Sequence, residues 1–218
     1  AMNPHLQYAQ VRTGHNRDQG SNSGIIEMKD MYYFLDAVRI LESAEALSQG
    51  EQGRLREWLR DYLSWLRTSP QGRKERSAPN NHGVYYDLQL ASIAAFLGET
   101  LLLRDTFRDS RFRILRHFSA QGEQPEEMKR TITAHYCCFN LQGWVHLALL
   151  AEACGQDLWG FVGGDGRGIR AGMHWLLPHI GREWPYEQIE PFDDERLYPL
   201  YYACSAKYGL PEELESNS

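Results

Sequence analysis

Apolar residues recur along most of this chain at the three-to-four spacing of helices, and no segment alternates as a half-buried strand does. The first 24 residues show neither pattern. Asn3-Pro4, Thr13-Gly14-His15-Asn16-Arg17 and Gln19-Gly20-Ser21-Asn22-Ser23-Gly24 predict an irregular N-terminal loop over 1–24. A helix is predicted over 25–45, with Tyr33, Ala37, Ile40 and Leu41 as its apolar face and Ser48-Gln49-Gly50 closing it. A second runs over 52–66, striped by Leu55, Leu59, Tyr62, Leu63 and Leu66 and flanked by Trp58 and Trp65. After a basic, polar linker to Pro79, helices are expected over 81–97, 101–118 (with a weak point at Asp109-Ser110), 131–153, 169–180 and 197–207. Successive antiparallel helix pairs of this kind give an all-α fold class. The organisation expected is a loop over 1–24, a single helical domain over 25–210 and a tail over 211–218.

Composition narrows the options. The chain has 218 residues, enough to bury a real core in one domain. A net charge of −6 means that attraction to a polyanion has to be local. Arg67, Arg73, Lys74 and Arg76 are one local source, and the arginine-rich stretch 104–116 reads as a solvated helix face. No nucleic-acid motif is present, no apolar run is long enough to span a membrane, and no signal-peptide pattern opens the chain. Cys137, Cys138, Cys154 and Cys204 match no zinc spacing and read as small buried residues. Trp and Tyr are abundant, which suits both core packing and sugar stacking.

Two clusters carry chemistry. The first is Asn80-Asn81-His82-Gly83-Val84-Tyr85-Tyr86-Asp87. Asn81 is a natural N-cap, but one cap does not require two asparagines and a histidine. From His82, Tyr85, Tyr86 and Gln89 fall on one helix face, and a face of imidazole, phenols and amide fits a wet cleft. The second is Lys129-Arg130-Thr131-Ile132-Thr133-Ala134-His135-Tyr136. Arg130 and Tyr136, six apart, cannot share one side of a regular helix, so Arg130 belongs to the approach loop and Tyr136 to the first turns. Thr133, Tyr136, Asn140 and Gly143 then line a second polar face. Asp87, Glu126, Glu127, Asp193 and Asp194 could supply the carboxylate pair of a hydrolase. The scattered histidines show no metal-ligand spacing, and neither a nucleophile elbow nor a P-loop occurs.

With these residues in view the chain resembles the alginate lyase superfamily of polysaccharide lyases. The likeness is carried by Asn80-Asn81-His82-Gly83 with Tyr85-Tyr86-Asp87, by Gln124-Pro125-Glu126-Glu127 leading to Arg130-Thr131, and by His135-Tyr136 through Phe139-Asn140-Leu141. Asp157-Leu158-Trp159, Asp165-Gly166-Arg167, Trp184-Pro185 and Gln188-Ile189 extend it, as do Asn3-Pro4, Tyr8-Ala9-Gln10 and Gly24-Ile25-Ile26. In polysaccharide lyase family 5, the mannuronan-specific relatives, the catalytic tyrosine falls where this chain has Phe139, which cannot exchange a proton. In family 38, lyases of glucuronan and mannuronan, it falls at Tyr136, so the chain is more similar to family 38.

The resemblance implies an (α/α) toroid, and a secreted or periplasmic lyase of β-1,4-linked uronic-acid polymers. Relatives carry a further helical segment before the Asn-Pro motif; without one, the toroid is expected to be incomplete or to be closed by a partner segment or a second copy. The implied catalytic set is Tyr136, Arg130, His82 and Asn81, with Asn80, Tyr85, Tyr86, Gln89, His135 and Gln124 binding an anionic polysaccharide. No metal or organic cofactor is implied, nor a nucleic-acid or membrane partner. The chemistry is β-elimination. Arg130, Asn81 and His82 neutralise the uronate carboxylate so that charge can build there, and Tyr136 takes the C5 proton and returns one to the departing O4. One residue can do both only where H5 and O4 share a sugar face, as in β-linked mannuronate and glucuronate but not guluronate. Two other readings stay open: a glycoside hydrolase on a helical toroid using two carboxylates, and a non-catalytic glycan-binding remnant.

Overall fold

Early in the chain, 3-10 turns at Leu6–Tyr8, Asn16–Asp18 and Asn22–Met28 take the place of the featureless loop expected there. In this computed structural model, which describes residues 2–209, the helices that follow are α1 (Met31–Ser43), α2 (Gln49–Thr68), α3 (Pro70–Arg76), α4 (Asn81–Leu97), α5 (Thr100–His117), α6 (Thr133–Ala153), α7 (Ile169–Leu176) and α8 (Tyr198–Tyr208). Among the described residues the only extended pairing is an isolated antiparallel bridge between Ile132 and Gln188. The fold class is all-α, as the periodicity predicts. The tail expected over 211–218 lies outside the described residues.

The chain divides into two compact units. The first comprises residues 1–78 and 85–106, with a core of Leu35, Leu59, Tyr62, Leu66, Tyr86 and Ile93. Helix α2 forms because its stripe repeats at helical spacing and because Ser48 and Glu51 close a reciprocal capping box at its start. The stretch read as a linker after it contains α3 instead. Ser69 caps α3, Pro70 occupies its first turn, where no N–H is needed, and buried Glu75 accepts from Asn22 at 2.8 Å. Gly72 is required there, since an added Cβ would lie 1.9 Å from the Leu66 carbonyl oxygen.

Helix α1 corrects the expected face. It buries Met31, Leu35 and Val38, while Tyr33 and Ile40 are 71% and 68% exposed. Both faces are apolar, so periodicity finds the helix without choosing its inward side. Its start also moves later, because 22–28 winds as a 3-10 turn.

The second unit comprises 79–84 and 107–218. Helix α6 packs against α7 and α8. Phe118 tilts onto the buried Trp144 at 6.2 Å between centroids. Gly172 on α7 lets Phe118 approach so closely that a Cβ would lie 2.4 Å from its ring. Helix α5 runs unbroken through Asp109-Ser110, contrary to the weak point expected there.

Candidate active site

The loop between α5 and α6 delivers Arg130 to Tyr136. The Arg130 Nη2 donates to the Tyr136 hydroxyl at 2.6 Å, and the guanidinium carbon lies 3.9 Å from the centre of the same ring. Both side chains are half-buried. Arg130 is in the approach loop and Tyr136 on the first turn of α6, the arrangement their six-residue spacing required.

Asn81 opens α4 in a different manner from a cap. Its backbone N–H and its Nδ2 both donate to the Glu127 carboxylate, at 2.6 and 2.9 Å. Glu127, from the same loop as Arg130, thus caps α4 from 46 positions away, with its charge at the positive end of the helix dipole. Burial raises the carboxyl pKa above its ordinary range, opposed by the two Asn81 bonds and by the nearby charges of Arg130 and His82. The Glu127 carboxylate is bonded to Asn81 and so fixes the start of α4 to the loop that carries Arg130. Asn80 precedes Asn81, half-buried, and its carbonyl accepts from the Gly83 N–H at 2.8 Å.

His135 sits edge-on to Tyr136, with centroids 5.6 Å apart, and its Nδ1 lies 3.1 Å from Arg196 Nη1. Accepting from a guanidinium makes that nitrogen unprotonated. Burial first, then Arg196, lowers the imidazole pKa against the opposing pull of Glu190.

Other residues expected in a wet site belong to dry interior. Tyr86 donates to the Leu66 carbonyl at 3.1 Å and is 1% exposed. Gln89 accepts from Tyr62 at 2.7 Å and donates to the Ile25 carbonyl at 3.1 Å, which uses both ends of its amide inside the first unit. Tyr85 is also buried. Of the face that suggested a cleft only His82 is half-buried; Tyr85, Tyr86 and Gln89 are core residues, and a buried amide or phenol is stable where its polar atoms find partners.

Gln124 is corrected likewise. It is fully buried, donates to the Cys137 carbonyl at 3.1 Å and accepts from Asn140 Nδ2 at 2.7 Å. Asn140 Oδ1 in turn lies 3.2 Å from His117 Nδ1, which is 3.3 Å from Trp144 Nε1. This chain of polar groups fastens the Arg130 loop to α5 and α6. Burial, then Arg113, holds the His117 pKa well below its ordinary value, and its Nε2 has no hydrogen-bond partner. Thr133 and Gly143, also read as lining a cleft, are buried.

The segment 184–189 has a structural role here. Thr133 N–H and Oγ1 both donate to the Glu187 carbonyl, at 3.1 and 2.6 Å, and Trp184 Nε1 donates to Thr133 Oγ1 at 2.7 Å. Ala134 N–H donates to Gln188 Oε1 at 3.1 Å, and Ile189 N–H to the Thr131 carbonyl at 3.0 Å. The helix that carries Tyr136 is thus held at its start by chain more than fifty residues later. No sequence rule links Glu127 to Asn81 or Gln188 to Ala134, and only the quoted runs containing them drew notice to either.

The alginate lyase family model matches residues 1–184, which contain all ten candidate residues. The chain belongs to the alginate lyase family. A crystal structure of an alginate lyase from Bacteroides ovatus is 32% identical, with a TM-score of 0.91 over 94% of this chain and 56% of that one. This member of the family therefore spans little more than half the length of that solved relative. No curated protein matches it. Among the described residues no helix is long and apolar enough to cross a membrane.

Proposed function

We propose that this member of the alginate lyase family is a polysaccharide lyase that cleaves β-1,4-linked polyuronates, mannuronan or glucuronan, by syn β-elimination. The observation that carries the reading is the Arg130–Tyr136 contact. A guanidinium that donates to the phenol oxygen stabilises negative charge on that oxygen in the transition state, where Tyr136 exchanges a proton with C5. His82, half-buried, supplies the further donor that takes up charge developing on the uronate carboxylate, whereas Asn81, 1% exposed with its backbone and side-chain N–H groups on Glu127, holds the loop in place rather than reaching substrate. Tyr136, protonated after the first transfer, returns its proton to O4 as the C4–O4 bond breaks, leaving a C4=C5 bond at the new non-reducing end. The assignment to the group similar to family 38 rests on Tyr136 as the proton carrier, with Phe139 at the position used in family 5. A secreted or periplasmic site of action goes with a polymeric substrate.

Incubation with polymannuronate, glucuronan and polyguluronate tests the reading. The expected result is ultraviolet absorbance from the unsaturated product with the first two and little with the third. Reducing ends without absorbance would indicate hydrolysis by a carboxylate pair, and binding without product a non-catalytic glycan module. Tyr136→Phe is expected to abolish product formation; full activity in that variant removes Tyr136 as the proton carrier.

A further inference from the structure

The second unit holds a cavity of about 480 Å³ that the elimination chemistry does not use. His179, Arg182, Trp184 and Gln188 line it together with Glu190 and Asp194, and Ala134 of α6 forms part of its wall. Its aromatic side is assembled rather than incidental. His179 and Trp184 lie edge to face with centroids 4.8 Å apart, and Trp175 and Tyr186 each pack within 5.8 Å of Trp184. Trp184 is held in place through its Nε1 bond to Thr133, and both ends of the Gln188 amide are engaged, with Ala134 N–H and the Glu190 carbonyl. Arg182 stands apart from this order. It is exposed at the cavity and makes no salt bridge or side-chain hydrogen bond among the described residues.

We propose that this cavity is a second carbohydrate subsite that holds one uronic-acid unit of the polymer. The lining selects among ligand classes. A simple anion or phosphate would be drawn to Arg182 but repelled by Glu190 and Asp194. A neutral sugar would leave the one unpaired cation without a partner. A sugar acid satisfies all three features: its carboxylate pairs with Arg182, its hydroxyls donate to the two carboxylates, and its C–H face packs on Trp184. His179, whose pKa is lowered by burial and then by Arg182, stays neutral and adds no competing cation. Ala134 in the cavity wall belongs to the helix that carries Tyr136, so a unit bound here is held against the same element as the reactive phenol.

This subsite rests on the polyuronate reading above, and its test separates the two. The full chain carrying Tyr136→Phe, which binds without turnover, is titrated calorimetrically with mannuronate oligomers of increasing length and with carboxyl-reduced oligomers. Adding Arg182→Ala is expected to weaken binding of the longer acidic oligomers at least ten-fold, to leave the reduced ones unaffected and to leave the melting temperature in place. Arg182→Lys is expected to recover part of the loss. With Tyr136 intact, Arg182→Ala is expected to raise KM for the polymer more than it lowers kcat. Unchanged affinity for long acidic oligomers, or an equal loss for reduced ones, overturns the subsite. Unsaturated product whose KM ignores Arg182 sinks the subsite and leaves the lyase. Arg182-dependent binding with no product from the Tyr136 protein sinks the lyase and leaves the subsite.

Discussion

At the scale of single residues, the two contacts most consequential for chemistry are made by Arg130 and Glu127. Arg130 gives Tyr136 both a hydrogen bond and a stacked cation. Lysine keeps the charge but loses the planar fork, so Arg130→Lys is expected to reduce kcat by about 10²-fold, as removal of one well-placed donor does; steady-state kinetics on polymannuronate check it. Glu127 presents two acceptors to two Asn81 donors. Glu127→Gln turns one acceptor into a donor that faces an N–H, and is expected to cost about 1–3 kcal/mol of stability. Urea unfolding measures that cost, and kcat is expected to fall with it because Asn81 is no longer held. Both residues lay in stretches that drew attention in the sequence, yet only one pairing was legible. The spacing of Arg130 and Tyr136 sets their local geometry, whereas nothing local connects Glu127 to Asn81.

At the scale of elements, helix positions follow from periodicity, whereas facing does not. Helix α2 has one apolar stripe and buries it, with Leu59 and Leu66 fully enclosed. Helix α1 has two, and the side expected inward is largely the one left outside. The contrast is measurable. Leu35→Ala is expected to destabilise by about 2–5 kcal/mol, and Ile40→Lys to change stability by no more than about 0.5 kcal/mol, in thermal or denaturant melts of the two variants. The face through Tyr86 and Gln89 turns inward, contrary to its polar pattern, for a related reason. Polar side chains at helical spacing look the same in sequence whether they meet solvent or one another. Tyr62, the Leu66 carbonyl and the Ile25 carbonyl, which satisfy them, lie 20 to 64 positions away.

For the molecule as a whole, the buried His117 makes stability depend on pH. In the folded protein the imidazole stays neutral well below its ordinary pKa. The unfolded chain takes up that proton below about pH 6.5, so stability present above this pH is lost as pH falls, by up to about 1.4 kcal/mol per pH unit. His135 and His179, also lowered and only partly buried, push weakly in the same direction. Melting temperatures are expected to drop between neutral and mildly acidic buffer, and His117→Phe to shrink that drop; an equal drop in the variant would place the acid sensitivity elsewhere.

The bond between Thr133 and Glu187, with that between Ala134 and Gln188, bears on how the protein is made. The leading turn of α6 closes on groups 54 positions downstream, so on a translating ribosome that turn stays loose until residue 188 has emerged. The tyrosine it carries finds its final pose only after that downstream segment has been made, and a chain cut at 184, where the family match stops, is expected to show amide exchange at Thr133 and Ala134 as fast as in a frayed peptide.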